Sequence, residues 1–510
     1  MSRGTPSPLH LRQPNINIQT LWPILFLLIL VNLTTSLYSL PLNRVIEKRL
    51  CQEHYAGDSN VTRPGGMIPE ELCKIDAVQK RLAWFQGIME TTLVVCDVIV
   101  TIPFSFIAER YGVRIVLWCN LVPRITLSVM AIVVGTLDHI LPAKTILAGP
   151  FLAVFGGECV FSSTIFTLTS ALSNDYVQRT SYFSYVSSIS YVVAFVGPSL
   201  ASLTMSQSLW LPFCINIVLL FAAVPTIRLL PDAKHLLVQL PITDIIDGEV
   251  DNEETSRPLL RPRSPKPDRY THAFDTTDKF GILQSTLHAT RTIIRLVTAR
   301  RNFQIILLSA FLTAIASSDT KLLVQYISKR YAWTFAQAGY LLSAKALINI
   351  LLLTVIVPLL IQRTASSQTL QNKDAVSETE IRMNYLAAEA SIAISVIGVL
   401  CVGLAFRFWM LLGALLTYAL GSALPIFILS LLKSPLTTTN PASPSPSPSQ
   451  SPSPSNNHSI PILTLVKTLG SLVGVPLMTG LWVQGIRIGG AGLGLPYFVS
   501  AVSKFFLLLF

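Results

Sequence analysis

The strongest constraint in this sequence is the recurrence of long apolar runs that carry few charged residues. A membrane-spanning helix needs about 20 consecutive apolar residues. Twelve runs of that order occur, at residues 21–40, 82–107, 115–135, 145–172, 182–203, 209–229, 303–326, 336–361, 387–405, 408–432, 461–483 and 491–510. Only helices and closed barrels satisfy all of their backbone hydrogen bonds within lipid. The pattern therefore predicts an all-α membrane protein with twelve transmembrane helices.

The composition argues against soluble functions. The chain has 510 residues, of which 51% are hydrophobic and 13% are charged, whereas soluble domains carry about 25% charged residues. The net charge is +11, but the basic residues lie in loops and form no basic face, so we expect no nucleic-acid partner. The sequence has no phosphate-binding loop, no His/Glu zinc pattern and no Gly-x-Ser-x-Gly elbow. We therefore expect no enzyme, metal site or cofactor.

The distribution of positive charge predicts the orientation. With the N-terminus in the cytoplasm, the turn at Arg110 and Arg114, the turn at Arg179 and the long middle loop all fall inside. This arrangement follows the positive-inside rule. The first loop, residues 41–80, then lies outside the membrane.

That first loop contains two cysteines and a glycosylation sequon. In an oxidising compartment we expect Cys51 and Cys73 to form a disulfide, and the alternative is two free thiols. Asn60 begins the sequence Asn-Val-Thr, which is an acceptor for N-glycosylation. The loop therefore predicts a disulfide-bonded glycoprotein.

The hydrophilic segments divide the chain near its middle. We expect two six-helix halves, residues 21–230 and 302–510. Residues 231–301 contain an acidic block and then a basic, proline-rich stretch, a composition that predicts a disordered cytosolic linker. Residues 1–20 form a cytosolic tail, and residues 435–459 form a Ser/Pro-rich insertion.

Residues 105–117, SFIAERYGVRIVL, carry a family resemblance. They resemble the signature loop of the major facilitator superfamily, Gly-x-Leu-Ala-Asp-Arg-x-Gly-Arg-Lys-x-x-Leu. The residues that match in register are Ala108, Arg110, Gly112, Arg114 and Leu117. Glu109 replaces the usual Asp, and Val113 departs from the pattern. The resemblance implies two rocking six-helix halves, with Ala108, Glu109, Arg110, Gly112 and Arg114 in an inner gating loop.

Weaker signals relate the chain to particular branches of this family. Gly197-Pro198 resembles the Gly-Pro motif of drug:proton antiporters. The Gly156-Gly157 pair and the turn at Arg179 are similar to the proton-coupled folate carrier branch. The stretch SKRYAWTFAQAGYLLSAKALINI resembles fungal members. These signals imply different directions of transport.

Three charged residues of the first half are expected at one depth. Counting from the hairpin turns at 1.5 Å per residue places Asp97, Arg124 and Glu158 about 20 Å into the membrane. Ionisable groups at that depth usually face a cavity or a partner. We expect Asp97 to pair with Arg124, which leaves Glu158 as the first candidate for carrying a proton. The alternative is that all three form an inert link between helices.

In the second half, Asp319 and Lys345 are expected at matching depth, either as a substrate-binding pair or as a static ion pair. Lys504 lies near a span end, where we expect it to extend toward the interface. The candidates for proton coupling are Glu158, Asp97 and Asp319. The candidates for lining a substrate cavity are Asn32, Arg124, Tyr185, Tyr191, Lys345 and Tyr418.

The sequence thus predicts a monomeric secondary transporter that works by alternating access in the lipid bilayer. We expect proton-coupled efflux of a small, partly apolar organic molecule. The alternatives are proton-coupled uptake of an organic acid or nutrient and, from a different class, a non-transporting receptor. Uptake is favoured if Arg124 and Lys345 both face the cavity, and efflux if Glu158 is its only charge. The plasma membrane is expected, with vacuolar or other endomembranes as alternatives.

Overall fold

The computed structural model describes residues 18–55, 68–137, 140–172, 176–230, 301–352, 373–421 and 459–509. All regular elements within these ranges are helical. Four features predicted from the sequence lie outside the described residues: the tail up to residue 17, Asn60, the linker up to residue 300 and the insertion up to residue 458.

The described helices follow one another along the chain. The α-helices are α1 (Ile18–His54), α2 (Asp76–Tyr111), α3 (Val113–Thr136), α4 (Glu158–Ala171), α5 (Tyr176–Gln207), α6 (Leu211–Arg228), α7 (Arg301–Ser317), α8 (Asp319–Tyr331), α9 (Phe335–Leu351), α10 (Lys373–Leu404), α11 (Phe408–Leu420), α12 (Ser459–Ile488) and α13 (Leu495–Leu509). Three 3₁₀-helices lie between them, at Glu70–Lys74, Ala143–Phe155 and Gly490–Gly494.

The predicted membrane architecture is confirmed. Within the described ranges, nine helical segments are long and apolar enough to cross a bilayer. Three shorter apolar helices accompany them, at Phe335–Leu351, Ala388–Leu404 and Phe408–Leu420. Each of the twelve predicted runs overlaps one of these segments. Two of the shorter helices stop where the described residues stop, so the count of twelve stays a prediction.

The fourth predicted span is a broken helix. Its first part, Ala143–Phe155, is a 3₁₀-helix that contains Pro150. The chain then turns at Gly156, whose φ of 148° is rare for residues with a side chain. The α-helix α4 begins only at Glu158, inside the apolar run. The break therefore places the first backbone N–H groups of α4 in the interior of the bundle.

Helices of the N-terminal half (described residues up to 230) pack against helices of the C-terminal half (residues 301 onward). Helix α5 runs along α9, and α2 runs along α12. One apolar core extends across both halves and includes Phe213, Tyr326 and Trp482, all fully buried. The halves therefore share a dry interface in this conformation.

A disulfide joins Cys51, at the end of α1, to Cys73 in the 3₁₀-helix before α2, with a Cα–Cα distance of 5.4 Å. Both residues are buried in the main core. We call this end of the bundle the disulfide end. The α8–α9 turn, between Tyr331 and Phe335, lies at the same end, because it contacts the segment around Lys74.

Candidate functional site

A cavity of about 480 Å³ lies within the bundle. Helices α1, α2 and α3 and the broken fourth span supply most of its wall, and α8 contributes from the C-terminal half. Its charged lining residues are Glu90, Asp97, Arg124, Glu158 and Lys321. The helices thus hold five charged groups around one cavity, which is typical of a ligand or ion pathway.

Arg124 is the centre of the polar network in this cavity. Its Nη2 donates to the Glu158 carboxylate at 2.5 Å, and its Nη1 donates to the Thr35 hydroxyl at 2.8 Å. Its Nε donates to Asn120 Oδ1 at 3.0 Å, one turn earlier on α3. The guanidinium also lies 5.6 Å from the centre of the Phe161 ring. These contacts fix the guanidinium and compensate Glu158.

Asp97 lies at the break in the fourth span. Its carboxylate faces the backbone N–H groups of Glu158 and Cys159, the first of α4, where the positive end of the helix dipole favours an acid. Gly157 allows this approach, since a Cβ there would lie 1.6 Å from Asp97 Oδ1. That oxygen is buried and accepts no hydrogen bond.

The expected pairing of Asp97 with Arg124 is therefore wrong, because Arg124 pairs with Glu158. The three residues do lie together in the cavity, as the depth count predicted. Depth counting gives a position along the membrane normal but no side-chain direction. Here the turn at Gly156 sets the direction of Glu158.

A second ion pair in the cavity connects the two halves. Lys321 of α8 contacts Glu90 of α2 with an Nζ–Oε2 distance of 2.9 Å. Gln86, one turn before Glu90, donates to the Lys321 carbonyl at 3.1 Å and is also hydrogen-bonded to Gln325. Sequence reasoning missed Lys321. The available signal was a lysine inside an apolar run, two residues after Asp319.

The cavity carries more acid than base. Three carboxylates and two cations line it. Glu158 is paired with Arg124, and Glu90 is paired with Lys321. Among the described residues, no ion pair reaches Asp97. A charge in a membrane interior is costly without a partner, and Asp97 is the one carboxylate of this cavity that has only backbone N–H groups and no ion-paired cation beside it.

The C-terminal half holds a separate polar cluster around Tyr418. Asp319 is fully buried and accepts hydrogen bonds from the Tyr418 hydroxyl at 3.1 Å and the Ser500 hydroxyl at 2.7 Å. The ammonium groups of Lys345 and Lys504 lie 4.3 Å and 4.2 Å from the centre of the Tyr418 ring. Lys504 also donates to the Tyr418 hydroxyl at 3.2 Å. We call these residues the lysine cluster.

Two expectations change at this cluster. Within the described part of the chain, Asp319 and Lys345 form no direct ion pair, because Tyr418 lies between them as a shared contact. Lys504 does not extend to an interface: it is buried against Tyr418, because the hydroxyl and ring compensate the ammonium inside the bundle.

Several predicted cavity residues do not line the cavity. Lys345 and Tyr418 belong to the lysine cluster instead. Asn32 and Tyr191 are half-buried on α1 and α5 but are not part of the cavity wall. Tyr185 is 43% exposed on the outside of α5. The sequence gives the depth of a polar residue along a span. The direction in which its side chain points depends on how the helices pack.

The gating loop forms a tight hairpin between α2 and α3. Gly112 has φ 94° and donates its N–H to the Ala108 carbonyl at 3.0 Å, which ends α2. Arg114 donates through Nε to the Leu230 carbonyl at 3.1 Å and so ties the hairpin to the end of α6. Glu109 and Arg110 belong to α2, but their side chains lie outside what the structure describes.

A buried carboxylate organises the disulfide end. Glu47 of α1 is fully buried and accepts hydrogen bonds from Lys74 Nζ at 2.8 Å, Gln79 Nε2 at 2.7 Å and Arg44 Nη1 at 2.8 Å. Gln79 also donates to the carbonyl of Cys73, the disulfide residue next to Lys74. The disulfide and the buried carboxylate therefore hold the same short segment.

That segment reaches across to the C-terminal half. Glu70 accepts a hydrogen bond from the backbone N–H of Phe335 at 3.0 Å, and the Lys74 ammonium lies 4.4 Å from the centre of the Phe335 ring. Lys329 of α8 contacts Asp76 at 2.6 Å and donates to the Lys74 carbonyl at 2.5 Å. These contacts link the two halves at the disulfide end in the conformation described.

Comparison with known proteins identifies the family. Residues 83–443, more than half of the chain, match the family model described as Major Facilitator Superfamily. The chain belongs to the Major Facilitator Superfamily. Like other carriers of this family it is a multi-pass membrane transporter for small molecules and not an enzyme.

Fungal members are among its relatives. The protein named MFS efflux pump atnC, from Emericella nidulans, is 24% identical over 462 residues, which is 90% of this chain and 81% of that protein. The MFS-type transporter avaK of Aspergillus versicolor is 24% identical over 382 residues, 74% of this chain and 73% of the relative.

Solved structures of the superfamily share the fold. A D-xylose-proton symporter superposes with a TM-score of 0.57 at 11% identity, covering 96% of this chain and 97% of that one. The human organic anion transporter MFSD10 (TETRAN) gives a TM-score of 0.54 at 14% identity, covering 98% and 99%. At this level of identity the likeness concerns the fold alone.

Neither of the two sequence criteria for the direction of transport is met. Arg124 lines the cavity but Lys345 does not, so the pattern expected for uptake is incomplete. Glu158 is one of five charged lining residues and not the only one, so the pattern expected for efflux is also missing.

Proposed function

We propose that this protein is a proton-coupled exporter of a small organic molecule that works by alternating access. Substrate binds in the cavity between the halves, and the halves rock around it. The ion pairs at the disulfide end belong to the state in which that end is closed. Asp97 exchanges the coupling proton with the cavity.

The position of Asp97 carries the proposal for proton coupling. The group borders the cavity, has no ion pair among the described residues and has one buried oxygen with no hydrogen-bond donor. A proton on that oxygen would remove the unpaired charge from the interior. Glu158, the first candidate from sequence, is compensated by Arg124, so we assign Glu158 to holding Arg124.

The direction rests on the relatives. One relative, aligned with this chain over 81% of its own length, is named an efflux pump. The Gly197-Pro198 motif resembles the motif of antiporters. Uptake of an organic acid is the second candidate. It is favoured by the lysine cluster, whose two ammonium groups lie beside a single carboxylate.

The cellular setting is part of the proposal. We place the N-terminus in the cytoplasm, the disulfide end outside and the protein in the plasma membrane as a monomer. Asn60 would then be glycosylated, since the loop that carries it faces the secretory lumen during synthesis.

Metabolite profiling tests direction and coupling together. Small molecules are compared between cells and medium for the deletion strain, the wild-type protein, Asp97→Asn and Glu389→Gln. Glu389 is an exposed acid on α10, outside the cavity and the lysine cluster, so it is the control for removing an acid. We expect a compound to accumulate inside the deletion strain, with rescue by wild type and Glu389→Gln but not by Asp97→Asn.

Two outcomes would contradict the proposal. A compound left unused in the medium of the deletion strain would indicate uptake. Full rescue by Asp97→Asn, at equal expression and across medium pH, would remove Asp97 from the coupling step.

A further inference from the structure

The lysine cluster has a charge and hydrogen-bonding imbalance that a ligand would correct. Between residues 301 and 510 the sequence has five acidic residues, and four of them lie at positions 374–389, at the start of α10. Asp319 is the fifth, and it is the acid of the cluster. Two ammonium groups, of Lys345 and Lys504, therefore lie beside one carboxylate in the interior of the C-terminal half.

The acceptors of the cluster already take part in hydrogen bonds with other groups. Asp319 uses one oxygen for Tyr418 and the other for Ser500. The Tyr418 oxygen donates to Asp319 and accepts from Lys504. None of these oxygens accepts a hydrogen bond from the ammonium of Lys345, which instead contacts the face of the Tyr418 ring.

The donors, in contrast, are in excess. Lys345 carries three N–H donors and makes no hydrogen bond to a described residue. The hydroxyl of Tyr497 is another donor: the residue is 1% exposed, and its hydroxyl oxygen has no hydrogen-bond partner. Tyr497 lies on the same face of α13 as Ser500 and Lys504, since they are spaced by three and four residues. Its hydroxyl is within electrostatic range of Asp319 and Tyr418.

The cluster adjoins the cavity. Leu342 lines the cavity, and Lys345 follows it by three residues on the same face of α9, about 4.5 Å further along the helix axis. Thr320, next to Asp319, also lines the cavity. Lys345 and Tyr418 are both partly exposed. A ligand in the cavity can therefore extend one group past Leu342 toward the ammonium of Lys345.

We propose that Lys345, Lys504 and Tyr497 form an anion subsite that binds a carboxylate of the transported molecule. A carboxylate has one negative charge and about four lone-pair acceptor sites, so it balances the second ammonium group and accepts from the donors that are in excess. The inference rests on the proposed function only in that the bound anion is part of the cargo. An inorganic anion such as chloride has the same charge, and the test separates the two.

The test measures binding without any transport step. The full-length protein in lipid nanodiscs is titrated with sodium 2-naphthoate or with 2-naphthamide, which has the same ring and no charge. Thermal stability is recorded at constant ionic strength with sodium isethionate, and a third titration uses sodium chloride. We expect a saturable rise in the unfolding temperature with naphthoate, and none with the amide or with chloride.

Lysine variants locate the effect. Lys345→Met and Lys504→Met keep the length of the side chain and remove the charge. Lys467→Met is the matched control, because Lys467 is a half-buried lysine of α12 outside the cluster. We expect naphthoate to stabilise wild type and Lys467→Met, with at least a tenfold weaker apparent affinity in the two cluster variants.

Several outcomes would overturn the inference. Equal stabilisation by naphthoate and naphthamide in wild type would mean that the charge is not recognised. Stabilisation by chloride alone would assign the site to an inorganic anion, and unchanged affinity in both cluster variants would place the site elsewhere. These results leave the proposed export standing, whereas failure of the metabolite experiment with intact naphthoate binding would leave the subsite standing.

Discussion

Removal of the buried charge at Glu47 tests whether the disulfide end is held by its interior or by its surface contacts. Glu47→Gln keeps the shape of the side chain and removes its charge. Lys74 and Arg44, which donate to the carboxylate at 2.8 Å each, would then face a neutral amide. The matched change is Asp76→Asn, which removes the partner of Lys329 at the same end.

The structure predicts very different magnitudes for the two variants. The side chain of Glu47 is 0% exposed and that of Lys74 is 6% exposed. Removing one partner of a buried pair typically costs about 3–5 kcal/mol. The lower end of this range is expected here, because Glu70 still contacts both Lys74 and Arg44 at 3.1 Å. The side chain of Asp76 is 58% exposed, and exposed pairs contribute about 0.2–1 kcal/mol. We therefore expect Glu47→Gln to destabilise the protein several times more than Asp76→Asn.

The assay is the free energy of unfolding of both variants in the same detergent, followed by helix content. A double variant, Glu47→Gln with Lys74→Gln, serves as the internal check. It should recover part of the loss, since the buried Lys74 charge, which would retain only Glu70 as an ion-pair partner, is removed as well. If Glu47→Gln lowers the free energy of unfolding no more than Asp76→Asn does, the buried network contributes no more stability than an exposed ion pair. The reasoning would then be wrong.

Two further predictions concern the cavity and the disulfide. Gly157→Ala must displace the carboxylate of Asp97, which lies 1.6 Å from the new Cβ position. We expect it to abolish export in the metabolite assay while Gly480→Ala, with open space around it, behaves as wild type. Loss of the Cys51–Cys73 disulfide opens a loop with a sequence separation of 22 residues and should lower stability by roughly 3 kcal/mol. Thermal unfolding with and without a membrane-permeant reductant measures this loss, and an unchanged midpoint would contradict it.

The sequence predicted the membrane architecture and the depth of the cavity charges but not their partners. Apolar runs locate helices because lipid requires them. Residue counting placed Asp97, Arg124 and Glu158 in one layer because each residue of a helix rises by a fixed distance. The partner of Arg124 depended on the break at Gly156, which lies inside a run long enough to be one continuous helix. The Gly156-Gly157 pair was the available sign of that break.

Contacts between distant parts of the chain were beyond sequence reasoning for a different reason. Lys321 and Glu90 are 231 residues apart, and their pairing follows from how α8 and α2 pack. Tyr185 illustrates the same limit of sequence reasoning. Its depth along the helix was predictable, but its exposure on α5 was not. The partner of a charged side chain, and the direction in which a side chain points, both depend on how the helices pack. A single sequence does not give that packing.

Under the proposed proton coupling, the pairing of Lys321 with Glu90 gives a physical link between proton transfer and movement of the halves. The N-terminal half contributes Glu90, Asp97 and Glu158 to the cavity but only Arg124 as a cation, and Lys321 comes from the other half. When the halves separate around the cavity, Lys321 leaves with α8 and the N-terminal half retains three acids beside one base. An uncompensated acid in a membrane interior is costly, so the separated state favours binding a proton, and the return of Lys321 favours its release. Lys321→Met should therefore uncouple export from medium pH while leaving binding of 2-naphthoate intact, and preserved pH dependence in this variant would show that coupling does not pass through the ion pair.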